Sequence, residues 1–203
     1  MGKSRKRFVL TLFLFSGFIL FSQESEKKNP VVFAEIFYGG GFGKTQGLLT
    51  GGELNYQLTK TLFTLRYSEV MGMEISHIPI GFAVIPILVS SGTIKEISGL
   101  VGRRFIKNGH STSISLGPSY NMNTIYHFET DINQRSNTIG LAWEVNIKWF
   151  KKQKEKYRLY YVVPVGKPTS FGNSFGIKLS GNISKRSYVG ISLIAGIGGH
   201  KVY

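Results

Sequence analysis

Eight charged side chains recur on strand faces otherwise built mostly of glycine, alanine, serine and asparagine. They are Glu35, Glu53, Glu96 and Glu144 against Arg66, Arg104, Lys148 and Lys178. The four acids and four bases balance, although the whole chain carries a net charge of +14. Charges gathered away from water are costly unless each meets a partner, so this set predicts a ladder of hydrogen-bonded ion pairs rather than acid–base catalysis. The ladder either fills an interior or, as the alternative, lines a selective conduction path. Glu53 and Arg66 flank the turn at 58–61 at similar distances and are expected to pair with each other. Glu144 and Lys148 lie four residues apart on one face, about 13 Å at ~3.3 Å per residue, so each is expected to find a partner on a neighbouring strand.

Other chemical signals are weaker. The stretch "YGGGFGKT" (38–45) has the Gly-Lys-Thr end of a phosphate loop, but Tyr38 stands where the first glycine belongs and no helix follows. It reads as a glycine-rich strand end. The histidines, His77, His110, His127 and His200, form no pair at metal-ligand spacing, and the chain has no cysteine. No catalytic, metal or cofactor-binding residue is therefore assigned.

The elements that must position the eight charges are strands. "NTIGLAWEVNIKWF" (137–150) alternates without a break: Ile139, Leu141, Trp143, Val145, Ile147 and Trp149 on one face, Gly140, Ala142, Glu144, Asn146 and Lys148 on the other. Similar patterns predict strands near 31–40, 47–58, 61–70, 93–107, 110–123, 137–151, 156–165, 172–184 and 187–199. The short connections "LTKT" (58–61), "KNGH" (107–110) and "SKRS" (184–187) make tight hairpins, hence an antiparallel neighbour-to-neighbour sheet. Nine segments are odd for a bacterial single-chain barrel, which has an even number. Either 157–165 is not a full strand or the apolar 76–91 stretch hides another, although Pro79 and Pro86 argue against a central strand there. The expectation is an all-β, closed antiparallel up-and-down transmembrane barrel of eight strands, with ten as the alternative.

Face composition orients the barrel. Ile114, Leu116 and Tyr120 oppose Ser113, Ser115, Gly117, Ser119 and Asn121; Phe175, Ile177 and Leu179 oppose Ser174, Gly176, Lys178 and Ser180. A narrow interior has little room and takes the small polar set, whereas the convex outside takes large apolar side chains against lipid. The inverse arrangement, a soluble lipocalin-like barrel with an apolar ligand cavity, is the competing reading.

Lys3, Arg5, Lys6 and Arg7 precede an apolar run from Phe8 to Phe21 and Ser22, the outline of a signal peptide. Residues 1–22 are set aside as that peptide, 23–30 as a polar segment and 31–203 as the barrel domain. Removing 1–22 takes away four of the 25 Lys and Arg and none of the 11 acids, leaving 181 residues at +10. Export removes nucleic acid as a partner, so the positive charge is assigned to anionic lipid head groups. Of the two longer links, "HFETDINQRS" (127–136) is polar, while 71–92 is apolar. In the latter Ile78, Ile80, Phe82, Val84 and Ile85 form a candidate contact patch, expected to pack on the barrel rim or on a partner.

The signal peptide, the alternating strands with tight turns, the glycine-rich stretches, "GKPTSFGNSFGIKLSGNISKRSYVGI" (166–191) and the terminal aromatic Tyr203 together resemble the small outer-membrane β-barrel proteins of Gram-negative bacteria. That resemblance covers the whole exported chain and is one of pattern. It implies an outer-membrane location, contact with outer-membrane lipids including lipopolysaccharide, and assembly by the barrel-assembly machinery through the aromatic end. Lys201 and Gly199 depart from the alternating apolar residues expected before that end. Some barrels of this kind modify lipid A with a His and a Ser. Here His110 adjoins Ser111, but His127 is followed by Phe128, Glu129 and Thr130 rather than a Ser-Asn pair. The function expected is structural or surface-interacting and not enzymatic, with a narrow pore for small solutes or lipid modification as alternatives.

Overall fold

A two-residue period of apolar and small residues commits most of this chain to strands. The computed structural model describes residues 31–80, 83–107, 109–127, 132–150, 157–159, 162–165 and 172–199. Eight strands close into one barrel: β1 (Val31–Gly43), β2 (Gly47–Leu58), β3 (Thr61–Ile80), β4 (Ala83–Lys107), β5 (His110–His127), β6 (Ile132–Phe150), β9 (Gly172–Ile183) and β10 (Tyr188–Gly199). A small separate hairpin, β7 (Tyr157–Leu159) with β8 (Val163–Val165), interrupts the sequence between β6 and β9. The barrel order is β1-β10-β9-β6-β5-β4-β3-β2, with every pair antiparallel and β1 sealing against β10 from Val32↔Gly199 to Gly43↔Tyr188. Residues 1–30, which include the expected signal segment, and His200 and Tyr203 lie outside the described residues.

The count of eight resolves the odd ninth segment: 157–165 folds as its own short hairpin and does not enter the wall. The 71–92 stretch differs from expectation in another way. It is the continuation of β3 and β4, paired with each other as far as Ile80↔Ala83. Pro79 and Pro86 are tolerated because, among the described residues, this part of the hairpin pairs with no outer strand. Pairing of β2 with β3 stops at Gly47↔Gly72, and that of β4 with β5 stops at Gly92↔Ile125. Prolines without an N–H to offer suit such edges. A register shift between Gly72 and Met73 leaves Ser91 without a Cα partner, and the hairpin leaves the wall at that bulge.

Direction alternates around the ring, and this fixes the two ends. The two-residue turns at 59–60 and 108–109, the β6–β9 link, Val31 and Gly199 share one end, here the terminal end. The connections 44–46, 81–82, 128–131 and 184–187 share the other, the distal end; β5 and β6 pair as far as His127↔Ile132, so most of the expected 127–136 loop is strand. The 184–187 turn therefore sits opposite the two turns with which its shortness had grouped it. Thr59 has φ 58° and Gly109 φ 82°, the left-handed backbone that two-residue hairpin turns demand.

The two faces of the wall divide as alternation dictates. Ile36, Leu54, Leu65, Ile114, Leu116, Ile139, Ile147, Trp149, Phe175 and Leu193 are exposed on the outside, Ile139 to 82 % and Ile36 to 70 %. Glu53, Asn55, Ser113, Ser115, Asn121, Glu144, Asn146, Lys178 and Ser180 are buried inside. The apolar surface is thus on the exterior and the polar surface in the lumen, the reverse of a water-soluble barrel with an apolar cavity.

Candidate functional site

All eight charges predicted for the small-residue faces are buried in the lumen. Seven of them join a central net. Arg66 donates from Nη2 to Glu96 Oε1 at 2.7 Å and from Nη1 to Glu144 Oε2 at 3.2 Å. Lys178 binds Glu53 and also Glu144, the latter at 3.0 Å, and Lys148 binds Glu35. Arg104 stands nearer the terminal end, donating to Gln57 Oε1 at 3.1 Å and lying over the rings of Phe33 at 4.7 Å and Phe150 at 5.6 Å.

The pairing differs from the expected one. Glu53 and Arg66 are direct cross-strand partners, yet Glu53 goes to Lys178 and Arg66 to Glu96 and Glu144. Three of the contacts, Arg66–Glu144, Lys178–Glu53 and Lys148–Glu35, join strands with two others between them in the ring. They cross the lumen as struts rather than climbing one wall. Long side chains opposite one another in a closed barrel reach further across the hollow than sideways, and closure itself brings the ends together.

Neutral groups complete the net. Asn55 donates to Glu35 Oε2 at 3.1 Å and Glu53 Oε1 at 3.2 Å, and its own carbonyl accepts from Thr64 Oγ1 at 2.6 Å. Asn146 donates to Glu144 Oε1 at 3.1 Å. Glu96 Oε2 accepts from Asn182 Nδ2 at 2.7 Å and from the Tyr188 hydroxyl at 3.1 Å. Each carboxylate thereby meets two or three donors, the condition under which buried charge is tolerable, although both donors to Glu35 fall on Oε2 and its buried Oε1 has none.

Buried apolar side chains lie in the lumen on either side of the net. Val31, Phe33 and Leu62 cluster toward the terminal end, and Phe37, Leu49, Val70, Ile94, Tyr188 and Ile194 toward the distal end. The ammonium groups touch these layers directly: Lys148 Nζ lies 4.8 Å from the Phe33 ring centroid and Lys178 Nζ 4.5 Å from that of Phe37. Sequence reading assigned large apolar residues to the outside and missed these. The signal was parity, since Phe33 and Phe37 share the face of Glu35, Val70 that of Arg66, and Ile94 that of Glu96.

The remaining candidates separate. His110 is exposed while Ser111 is buried, so the neighbouring pair points to opposite sides of the wall. "YGGGFG" is part of β1, with no helix after it. Of the apolar patch, Ile85 is 46 % exposed; Phe82 and the side chains of Ile78, Ile80 and Val84 lie outside the described residues, as does Glu129.

No protein-family model and no curated protein matches the chain. Solved structures do. Neisserial surface protein A (NspA) aligns with a TM-score of 0.50 at 12% identity over 86% of this chain and 99% of that one. The N-terminal β-barrel domain of Pseudomonas aeruginosa OprF aligns with a TM-score of 0.49 at 15% identity over 85% of this chain and 99% of that one. Ail, the attachment invasion locus protein of Yersinia pestis, gives 0.49 at 10% identity over 85% and 99%. At these identities the likeness is one of fold: the chain is a closed, eight-stranded, all-antiparallel β-barrel of the kind seen in Neisserial surface protein A.

Proposed function

We propose that this chain is an integral outer-membrane barrel of a Gram-negative bacterium whose lumen is closed by its own side chains, with a structural or surface-interaction role and no enzymatic one. The carrying observation is the inverted partition of the wall, apolar outside and charge-paired inside. Every backbone group of a closed barrel is satisfied within the wall, so lipid is a permitted solvent for that exterior. The short strands fit the dimension. β1, β2, β9 and β10 have 12 or 13 residues, roughly 28 Å at ~3.3 Å per residue and a tilt near 45°, against an apolar band of about 25 Å. The side-chain net and its two apolar layers favour a filled lumen over a pore.

The test is extraction and electrophoresis. A closed membrane barrel stays with the membrane until detergent is added and migrates differently on a gel before and after boiling. Recovery in the soluble fraction without detergent, or a band indifferent to boiling, would defeat the proposal.

A surface-interaction role has its own support in the β3–β4 hairpin. Beyond Gly72 and Gly92 it continues for eight residues on β3, about 26 Å at ~3.3 Å per residue. Met73, Ile75 and Ile85 are exposed on it. Apolar groups exposed along a segment that runs past the barrel wall are suited to contact with another surface.

A further inference from the structure

We propose that the distal rim at the β1–β10 seam is a binding site for the phosphorylated head group of a lipid whose acyl chains lie on the outer wall below it; this rests on the outer-membrane reading above. Two loops form the rim, 44–46 between β1 and β2 and 184–187 between β9 and β10, brought together by the Gly43↔Tyr188 pair. Their sequences, "KTQ" and "SKRS", carry Lys44, Lys185 and Arg186 and no acid.

The loops are latched to each other. Lys44 N donates to Ser187 O at 3.3 Å and Lys44 Nζ to Lys185 O at 3.0 Å. Arg186 Nη2 donates to Thr45 Oγ1 at 2.8 Å and to Lys44 O at 3.4 Å. Ser187 Oγ donates to Ser184 O at 2.9 Å and accepts from Ser184 N at 3.2 Å. The latched loops carry three like charges, and the hydrogen-bond partners of Lys44 and Arg186 are neutral oxygens. Two acids are described toward this end: Glu69 is engaged by Lys95 at 3.7 Å and by the Tyr67 hydroxyl at 3.1 Å, and Glu74 is exposed on the part of β3 that runs past Gly72. Each ammonium has three donors, so one bond to a carbonyl leaves Lys44 able to bind an anion as well. A phosphate group, with close to two negative charges and several acceptor oxygens, suits such a cluster better than a carboxylate does.

The wall below decides what the phosphate is attached to. Phe42 pairs with Val189, Gly40 with Ile191 and Tyr38 with Leu193 along the seam. Tyr38, Phe42, Val189, Ile191 and Leu193 are all exposed on the outside. An apolar strip ending in a cationic cluster matches an amphiphile with an anionic head; a free anion has no use for the strip.

The experiment uses the full exported chain folded in detergent micelles, with native mass spectrometry counting bound diphosphorylated lipid A or its phosphate-free form. The phosphorylated lipid should be retained about tenfold better, and the K44Q/K185Q double variant should lose that preference while keeping its heat-modifiable band. Inorganic phosphate at about 10 mM should leave the lipid bound, whereas raising the salt should weaken it in the unaltered protein. Equal retention of both lipids, an unaltered preference in the double variant, or displacement by inorganic phosphate would overturn the site. Should the double variant not fold, a preference in the unaltered protein that is insensitive to salt would overturn it equally. A chain that needs detergent and shifts on boiling yet binds both lipids alike loses the site and keeps the membrane reading; one soluble without detergent loses the reading itself.

Discussion

Glu53 on β2 and Arg66 on β3 stand directly opposite in register, and each reaches past the other: Glu53 to Lys178, Arg66 to Glu96 and Glu144. The lumen is therefore braced across its width. A strut between strands far apart in sequence adds a constraint that hydrogen bonding along the wall does not supply.

Arg66 is the junction of that bracing and is wholly buried. Arg66→Ala strands Glu96 and Glu144 with fewer donors and should cost about 3–5 kcal/mol, the usual penalty for breaking a buried ion pair from one side. Arg66→Gln combined with Glu96→Gln leaves the net charge of the layer unchanged and should recover much of the loss. Urea unfolding of the detergent-folded protein reads both; a double variant as unstable as Arg66→Ala would contradict the partner assignment.

Leu49 is fully buried in the distal apolar layer. Leu49→Ala should destabilise by about 2–5 kcal/mol, as large-to-small changes in packed interiors do. The same change at Leu54, 60 % exposed on the outer face, removes surface that does not pack in the lumen and should cost clearly less in the same unfolding assay. Equal losses would mean that the faces are assigned the wrong way round.

Gly51 is required where it stands. A Cβ there would lie 2.3 Å from Phe37 Cζ and 2.3 Å from Tyr67 O. Ring and backbone must both move to admit a methyl, so Gly51→Ala should cost about 1–3 kcal/mol by overpacking. At Gly99 nothing lies within 4 Å of the added Cβ, and Gly99→Ala should be tolerated. Comparable unfolding midpoints for the two variants would refute the close approach.

The parts of this fold legible in the sequence are those that depend on alternation alone. The period of two in 137–150 placed Glu144, Asn146 and Lys148 inside and Ile139, Ile147 and Trp149 outside, and alternation with short turns marked nine segments that the even-number rule reduced to eight wall strands. Partner choice was not legible. It depends on how strands distant in sequence are brought round by closure, and a local rule sends Glu53 to Arg66. Pro79, Pro86 and the continuous apolar run masked the upper parts of β3 and β4, because neither alternation nor unbroken N–H donors mark a hairpin without neighbours. Phe33, Phe37 and Val70 were missed because residue size was weighed above parity. A narrow lumen takes large apolar groups in layers where no charge has to be housed.

The β3–β4 hairpin is paired beyond the rim as far as Ile80↔Ala83, and proteases cleave paired strands only after local opening. Chymotrypsin added to intact cells should cut within 76–88 far more slowly than it cuts the same stretch of the urea-unfolded protein. Equal rates would argue against a stable projecting hairpin.

In the proposed membrane barrel the lumen is closed by its own charges and rings. Planar-bilayer recording with purified protein tests this most directly. The unaltered chain should insert and show no steady open channel, because the Arg66–Glu144, Lys178–Glu53 and Lys148–Glu35 struts and the apolar layers on either side occupy the path. A stable ion conductance that survives purification would contradict the closed lumen and identify a pore.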